Sequence, residues 1–423
     1  MLRARNPRAA MATVIAEGFL GRLTFGMVSF ALPLYALRLG LSLSEIGILI
    51  SIRTLIALGL KPVAGWASDR VGVRAVYLAG TFARVLAAVA LFFADTLLAL
   101  TFVRFFQAAS AAGRDVASLG AIARDADNRV GTIYSWYATA KHVGGVAGAG
   151  VAGLVISASG DGFELLWVLV LAISALPTVV VWFGLREVRD EEAATAEPTL
   201  PPEPQTQLFR SRMMEFFRLL RELSGPASVG MLIAASAYMV HGLFPILATK
   251  YAGLSTAQAG LIYSLSAAVF LVAGPLFGWI TDRYGRLVGI ACRSAANIGS
   301  SLMYLASPTF VGIAAARSVD DTGKAAFRPA WASAIADIAA KDPPRKGRRL
   351  GTLDAVQEIG EIAGPALAGI LWQTGGVFAL FGVRIAIAIV AEISAITVFG
   401  ELRNYRPRLG ILTRVSRALK SRS

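Results

Sequence analysis

Apolar stretches long enough to cross a bilayer recur along almost the whole chain, and that repetition limits the fold more than any motif does. Residues 231–248, 262–280 and 377–399 are examples. A span needs about 20 mainly apolar residues. Counting such stretches predicts helices near 12–37, 46–66, 75–95, 97–122, 132–157, 163–186, 226–249, 257–280, 287–307, 309–337, 351–374 and 376–401. Of the 423 residues, 56% are apolar and only 16% are charged, against roughly 25% charged in an ordinary soluble domain. Too little polar surface remains to cover two or three water-soluble domains. The expected fold class is therefore an all-α membrane protein of about twelve transmembrane helices.

The formal net charge of +14 could suggest nucleic acid, but its distribution excludes that reading. Basic clusters sit at Arg3/Arg5/Arg8, Arg70/Arg74, Arg124/Arg129, Arg210/Arg212/Arg218, Arg283/Arg286, Lys341–Arg349 and from Arg403 to Arg422. They fall at the ends and on every second connection. The alternate connections carry almost no Lys or Arg beyond Arg38 and Lys250. This positive-inside asymmetry predicts an integral protein of the cytoplasmic (inner) membrane with both termini cytoplasmic. A nucleic-acid partner would need a soluble basic face. Glu17 and Arg22 interrupt the first apolar run, so it reads as a retained helix and not as a cleaved leader. Cys292 is the single cysteine, which rules out an intrachain disulfide and a cysteine metal cluster. His142 and His241 are far apart and are read as packing or cavity groups. No metal site and no cofactor is expected.

Residues 188–222 break the pattern. Their first part, 191–207, reads EEAATAEPTLPPEPQTQ, an acidic and proline-rich linker composition. The following FRSRMMEFFRLLREL is amphipathic and suits either the cytoplasmic lipid surface or a plain connector. The predicted organisation is a first six-helix bundle over 1–187, a cytoplasmic linker over 188–222, a second bundle over 223–402 and a basic cytoplasmic tail over 403–423.

The halves repeat each other. GWASDRVGVR from Gly65 returns as GWITDRYGRL from Gly278, so Gly65, Asp69, Arg70 and Gly72 match Gly278, Asp282, Arg283 and Gly285. The same offset pairs GLSLSEIG (from Gly40) with GLSTAQAG (from Gly253), and Arg104 with Arg317. After a short insertion, HVGGVAGAGVAG from His142 pairs with EIGEIAGPALAG from Glu358. Collinear matches of this kind mean duplication, and repeats in membrane carriers place a solute site between the halves near the midplane.

On these residues the chain resembles the major facilitator superfamily, in particular its proton-coupled drug-efflux members. The loop after the second span matches the signature GxxxDRxGxR at Gly65, Asp69, Arg70, Gly72 and Arg74, and the loop after the eighth repeats it at Gly278, Asp282, Arg283 and Gly285. The resemblance implies two pseudo-symmetric six-helix bundles. It also implies that these loops latch the halves at the cytoplasmic side when the carrier opens outward. RFFQAASAAG resembles the family's RxxQGxxxA through Arg104 and Gln107, with Ala108 where glycine is usual, and the resemblance implies a role for Arg104 in proton handling. The antiporter run GPxxGG is not intact on the fifth span, which has five glycines and no proline, whereas the eleventh has Pro365. The direction of transport stays open on that count.

The tenth span reads RSVDDTGKAAFRPAW. Arg317, Asp321, Lys324 and Arg328 share one helical face, and Asp320 borders it. Asp354, Glu358 and Glu361 share a face of the eleventh span; Arg104, Gln107 and Asp115 lie on the fourth, and Glu17 on the first. Ionisable groups at bilayer depth mark a functional cavity by default, and mutual ion pairing of the two stripes is the plainer alternative. Arg22, Arg53, Arg84, Lys141, Arg293, Arg384 and Glu392 are further candidates, with Arg84 able to snorkel to an interface. No P-loop, Ser–His–Asp set or HExxH string is present, so an enzyme is not expected. The expectation is a secondary transporter of a small solute or ion, with protons as the coupling ion and the lipid bilayer as its surroundings, working by export. The alternatives are an importer, a carrier of metal or metal complexes using Asp320, Asp321, Glu358 and Glu361, and a scaffold or receptor that does not transport.

Overall fold

The computed structural model describes residues 7–125, 130–185 and 205–399. Arg3, Arg5, Arg129, the segment 188–204 and the tail from 403 lie outside these residues, as do the side chains of Arg8, Arg124, Arg210, Arg212 and Asp282. The first half contains α1 (Pro7–Arg38), α2 (Leu43–Val71), α3 (Val73–Ala90), α4 (Leu97–Asp125), α5 (Val130–Ala158) and α6 (Glu164–Gly184). The second contains α7 (Gln205–Glu222), α8 (Ser224–His241), α9 (Thr256–Tyr284), α10 (Arg286–Ala306), α11 (Phe310–Ala340) and α12 (Lys346–Phe399). No strand occurs among the described residues.

The eleventh and twelfth predicted helices are the two arms of α12. They run on without a loop except at Gly376, whose φ of 72° breaks the helical path. The seventh predicted span, 226–249, is also interrupted: α8 stops at His241, and the chain continues through a short turn at Phe244–Ile246 and a π-helical turn at Leu247–Tyr251. The amphipathic segment forms α7, bent by 87° from α8 and tied to the start of α12 by Glu222 and Arg349 at 2.7 Å. Met213, Met214 and Phe217 lie on its exposed side.

Among the described residues, seven helices are individually long and apolar enough to cross a bilayer, or eight if the bent α7–α8 pair is one span. Helices α4, α10 and α11 miss that threshold. They hold Arg104, Arg114, Arg293, Arg317, Asp320 and Asp321, all buried inside the protein and away from lipid. The spans that look least like membrane helices thus carry much of the interior charge.

The duplicated strings have clear local purposes. Ser42 and Glu45 form a reciprocal capping box at the start of α2 (Ser42 N to Glu45 Oε2, 2.8 Å), and Ser255 with Gln258 does the same for α9 (3.0 Å). These pairings satisfy donors that a helix start leaves open. Gly72 and Gly285 end α2 and α9 at φ of 90° and 96°, a region that L side chains avoid, so each allows a one-residue turn into the next helix.

One large apolar cluster joins the halves at the end of the molecule that carries the two capping boxes; it includes Phe30, Ile46, Ile156, Phe244, Ile262 and Phe381. Two glycine contacts tighten the join. A Cβ on Gly47 of α2 would lie 3.1 Å from the Gly369 Cα of α12, and one on Gly153 of α5 would lie 2.8 Å from the Gly260 Cα of α9. Small residues at these points let the backbones meet. Leu43 N donates to Gln373 Oε1 at 3.1 Å, and Thr256 Oγ1 to Asp161 Oδ1 at 3.3 Å, closing the same end.

Candidate functional site

Between the halves lies a cavity of two lobes, with about 1290 Å3 and 1130 Å3 of empty space when the mouth is included. Arg22, Phe25, Ser29, Tyr238, His241 and Tyr263 border both lobes and so mark their junction. One lobe runs toward Lys61 on α2 and Glu358 on α12; the other runs toward Tyr134 on α5 and Arg328 on α11. Both point away from the sealed end, toward the GxxxDRxG turns. The space a water molecule can reach, about 270 Å3 in one lobe and 360 Å3 in the other, suits a small organic solute, since sites for such ligands enclose roughly 300–1,000 Å3.

The second-half wall is built on α11. Arg317, Asp321, Lys324 and Arg328 line one lobe. Arg317 Nε meets Asp321 Oδ2 at 2.9 Å, Lys324 Nζ meets Asp321 Oδ1 at 2.9 Å, and Ser266 of α9 donates to the same carboxylate. Asp320 points the other way, into a fully buried cluster. Its Oδ1 accepts from Arg384 at 2.6 Å and Arg293 at 3.1 Å, and Lys324 reaches its Oδ2 at 2.7 Å. Arg384 also donates to Asn297 Oδ1 and Ser301 Oγ, both at 2.8 Å, and to the Ser236 carbonyl at 2.9 Å. This lattice ties α8, α10, α11 and α12 into one body. Buried charges survive in lipid only when paired and bonded in this way.

The first-half wall has its own buried centre. Glu17 is fully buried, pairs with Arg114 and accepts from Tyr77 Oη at 2.6 Å. Arg84 does not snorkel to an interface; it turns inward to the Gly21 carbonyl and to Thr24 Oγ1 at 3.0 Å. Asp115 pairs with Lys141 at 2.8 Å, and Arg104 donates to Gln107 Oε1 at 3.0 Å. Lys61 pairs with Glu358, an ion pair that crosses from one half to the other. Glu361 accepts a hydrogen bond from Tyr238.

The two acidic and basic stripes do not meet each other. Helix α11 pairs within itself and with α9, α10 and the second arm of α12, whereas Glu358 and Glu361 face Lys61 and Tyr238 across the other lobe. Asp354 is exposed and lies outside both lobe linings. Sequence reasoning missed Arg114, Lys61 and Tyr238. Arg114 aligns with Phe327 in the repeat and shares no stripe with Arg104, so only the tertiary contact with Glu17 reveals it.

The GxxxDRxG turns lie at the open end. Asp69 and Arg70 are exposed, and Arg70 stacks on Trp66 at 4.6 Å; Arg283 stacks on Trp279 at 5.4 Å. Arg74 donates to the Trp182 carbonyl at 3.0 Å. Among the described residues Asp69 has no ion-pair partner, and no atom lies within 4 Å of where a Cβ on Gly65 or Gly278 would sit.

The sequence profile of the Major Facilitator Superfamily matches residues 18–287 and 226–411, which together cover most of the chain. The chain belongs to the Major Facilitator Superfamily. Relatives within it are distant. The chain is 26% identical over 133 residues to the human synaptic vesicular amine transporter, covering 31% of this chain and 26% of that one. It is 22% identical over 157 residues to the bacillibactin exporter of Bacillus subtilis, covering 36% and 39%. The match thus spans well under half the length of either relative. The structure of the nucleoside transporter NupG superposes with a TM-score of 0.69 at 17% identity, covering 94% of this chain and 99% of that one. As a superfamily member the protein is an integral membrane protein of two pseudo-symmetric six-helix bundles, and the cavity lies on the interface between them.

Proposed function

We propose that this chain is a proton-coupled secondary transporter that exports a small solute across the cytoplasmic membrane by alternating access. The observation that carries the reading is a single charged cavity between the halves, sealed at one end by backbone-to-backbone glycine contacts and open at the other. Rocking the halves about such a cavity exchanges the open end. The basic connections support a cytoplasmic open end, and on that reading this is the inward-facing state. The latch turns at Asp69 and Asp282 belong to the closed form of that end.

Export rests on the likeness of the fourth and fifth spans to efflux members, and a relative named as an exporter agrees with it. Proton coupling rests on Glu358. Its partner Lys61 sits on the opposite half, so rocking makes and breaks the pair. A carboxylate that loses a cation gains proton affinity. Asp321 is the second candidate, held by Arg317 and Lys324 on the lobe wall.

A metal-ion carrier fits less well. The proposed ligands face different walls, Asp320, Asp321 and Glu358 are occupied by cations, and among the described residues no three acidic, histidine or cysteine side chains converge. An amine, the cargo in one relative's name, is a cation at neutral pH and meets a wall dominated by arginine and lysine. The test is uptake into proteoliposomes under an imposed pH gradient, screened against dyes, sugars, amino acids, organic acids and metal ions. Glu358→Gln and Asp321→Asn should abolish or uncouple pH-driven flux, with solute binding less affected. Unchanged flux and pH dependence in both variants would move the coupling site elsewhere, to Glu17 first.

A further inference from the structure

We propose that the cargo is a small organic anion whose acidic group is held by Arg22, at the junction of the two lobes, and Arg53, in the first lobe. The proposal rests on the transport reading and names the substrate class that the same cavity would take.

The charge of the lining is unbalanced. The first lobe has six Lys or Arg side chains against three carboxylates, and the second has five against one, with Arg22 shared. The acidic groups are already engaged: Asp115 by Lys141, Asp321 by Arg317 and Lys324, Glu358 by Lys61, and Glu361 by the Tyr238 hydroxyl. Among the described residues, Arg22, Arg53, Arg104 and Arg328 have no carboxylate within ion-pair distance.

Arg22 and Arg53 carry like charge and share one aromatic neighbour. Their guanidinium carbons lie 4.9 Å and 4.8 Å from the centroid of one ring, Phe25. They come from different helices, α1 and α2, and among the described residues the one hydrogen-bond acceptor of Arg53 is Thr54 Oγ1, at 3.5 Å. Holding two guanidinium groups together without an acid is unfavourable, and an anion between them reverses the sign of the interaction. Other donors around the cavity are also unspent. Arg104, Arg114 and Arg317 are at least nine-tenths buried, and each keeps one nitrogen without an acceptor: Nε, Nη2 and Nη1 respectively. Such groups are costly unless something accepts from them.

The rest of the junction fits the body of such a molecule. Tyr238, His241 and Tyr263 form a continuous aromatic edge, with ring centroids 5.6 Å and 5.9 Å apart in sequence around His241. Phe25 and this edge offer apolar faces, while Ser29 offers a hydroxyl. The combination of a guanidinium pair and flat rings selects a carboxylate, phosphate or sulfonate on a planar or apolar body.

The test uses the full-length protein in lipid nanodiscs and follows the thermal unfolding midpoint during titration. The probes are phenyl phosphate, phthalate and benzenesulfonate, with phenyltrimethylammonium and benzyl alcohol as a cation and a neutral molecule of similar size. The anions should raise the midpoint with saturation, and the other two should not. Arg22→Gln and Arg53→Gln should each weaken anion affinity by about tenfold or more, and Arg22→Lys by less, because the charge stays while the fork is lost. Equal stabilisation by phenyltrimethylammonium or benzyl alcohol overturns the proposal. So does the absence of stabilisation by every anion, or unchanged anion affinity in both glutamine variants. Flux in proteoliposomes separates this from the transport reading. Anions that bind but never cross would sink transport and leave the site standing, whereas flux confined to cations or neutral solutes would sink the site and leave transport standing.

Discussion

Helices α2 and α9 occupy equivalent places in the two halves, and each has one end packed and one end bare. At the sealed end Gly47 of α2 meets Gly369, and Gly260 of α9 meets Gly153. At the open end Gly65 and Gly278, on the same two helices, face no atom of the described residues within 4 Å beyond their own local helix backbone. Close-approach residues are therefore present at both ends, and only one set is in use. A glycine in a helix interior costs about 0.5–1 kcal/mol relative to alanine, so bare glycines at equivalent positions point to a partner surface engaged in another conformation. The difference between the ends is what a two-state carrier requires: two alternative joins, of which one is made at a time.

The comparison requires each half to move as one body, and the buried Asp320 cluster is what makes the second half rigid. Asp320→Asn should give the largest effect of all. It leaves Arg293 and Arg384 buried with a weakened partner and should cost about 3–5 kcal/mol of stability, read as a lowered unfolding midpoint in detergent and reduced yield. A loss below about 1 kcal/mol would show that the half is held by packing alone.

Overfilling the sealed end should come next. A Cβ at Gly260 would lie 2.9 Å from Gly153 Cα and 3.2 Å from the Ala149 carbonyl. Backbone cannot yield as a side-chain tip can, so Gly260→Leu should destabilise the join by about 1–3 kcal/mol. The variant should populate the opposite state, with transport strongly reduced. Impermeant thiol labelling of a cysteine introduced at Ser264, which lies beside this contact, checks that shift. Unchanged labelling would show that the glycine contact does not set the balance.

The smallest effects on this state should come from the open end. Asp69 is exposed and has no ion-pair partner among the described residues. Asp69→Asn and Gly65→Ala should therefore leave the unfolding midpoint within about 0.5 kcal/mol of the parent, as for surface substitutions. Both should slow transport, Asp69→Asn by roughly 5- to 150-fold, the range of a typical coupling between two states. Normal flux in Asp69→Asn would reduce the turn to a connector.

How far the sequence reads ahead of the structure depends on whether a feature is local. The capping boxes at Ser42 and Ser255, the turns at Gly72 and Gly285, and the helix positions follow from patterns a few residues long, which backbone geometry alone decides. The α11 stripe is legible for the same reason: a period of 3.6 puts Arg317, Asp321, Lys324 and Arg328 on one lobe. Partner choice is not local. The eleventh-span carboxylates look ready to meet that stripe, yet Glu358 reaches Lys61 in the other half. Lys61 sits four residues before the Gly65 motif and carries no signal of its own. Glu17 was visible as an acid in an apolar run, but its partner Arg114 follows only from how α1 packs against α4.

The most direct test of the account is a pair of distances measured by double electron–electron resonance in lipid, after Cys292→Ser removes the single native thiol. One spin-label pair, Thr132 with Tyr284, spans α5 and α9 at the open end, and the other, Ala158 with Ser255, spans them at the sealed end; all four sites are exposed. The account predicts two populations in each distribution. When pH or a transported solute shifts the balance, the open-end distance should shorten as the sealed-end distance lengthens. Two fixed distances under all conditions, or two that lengthen together, would contradict the exchange of one join for the other.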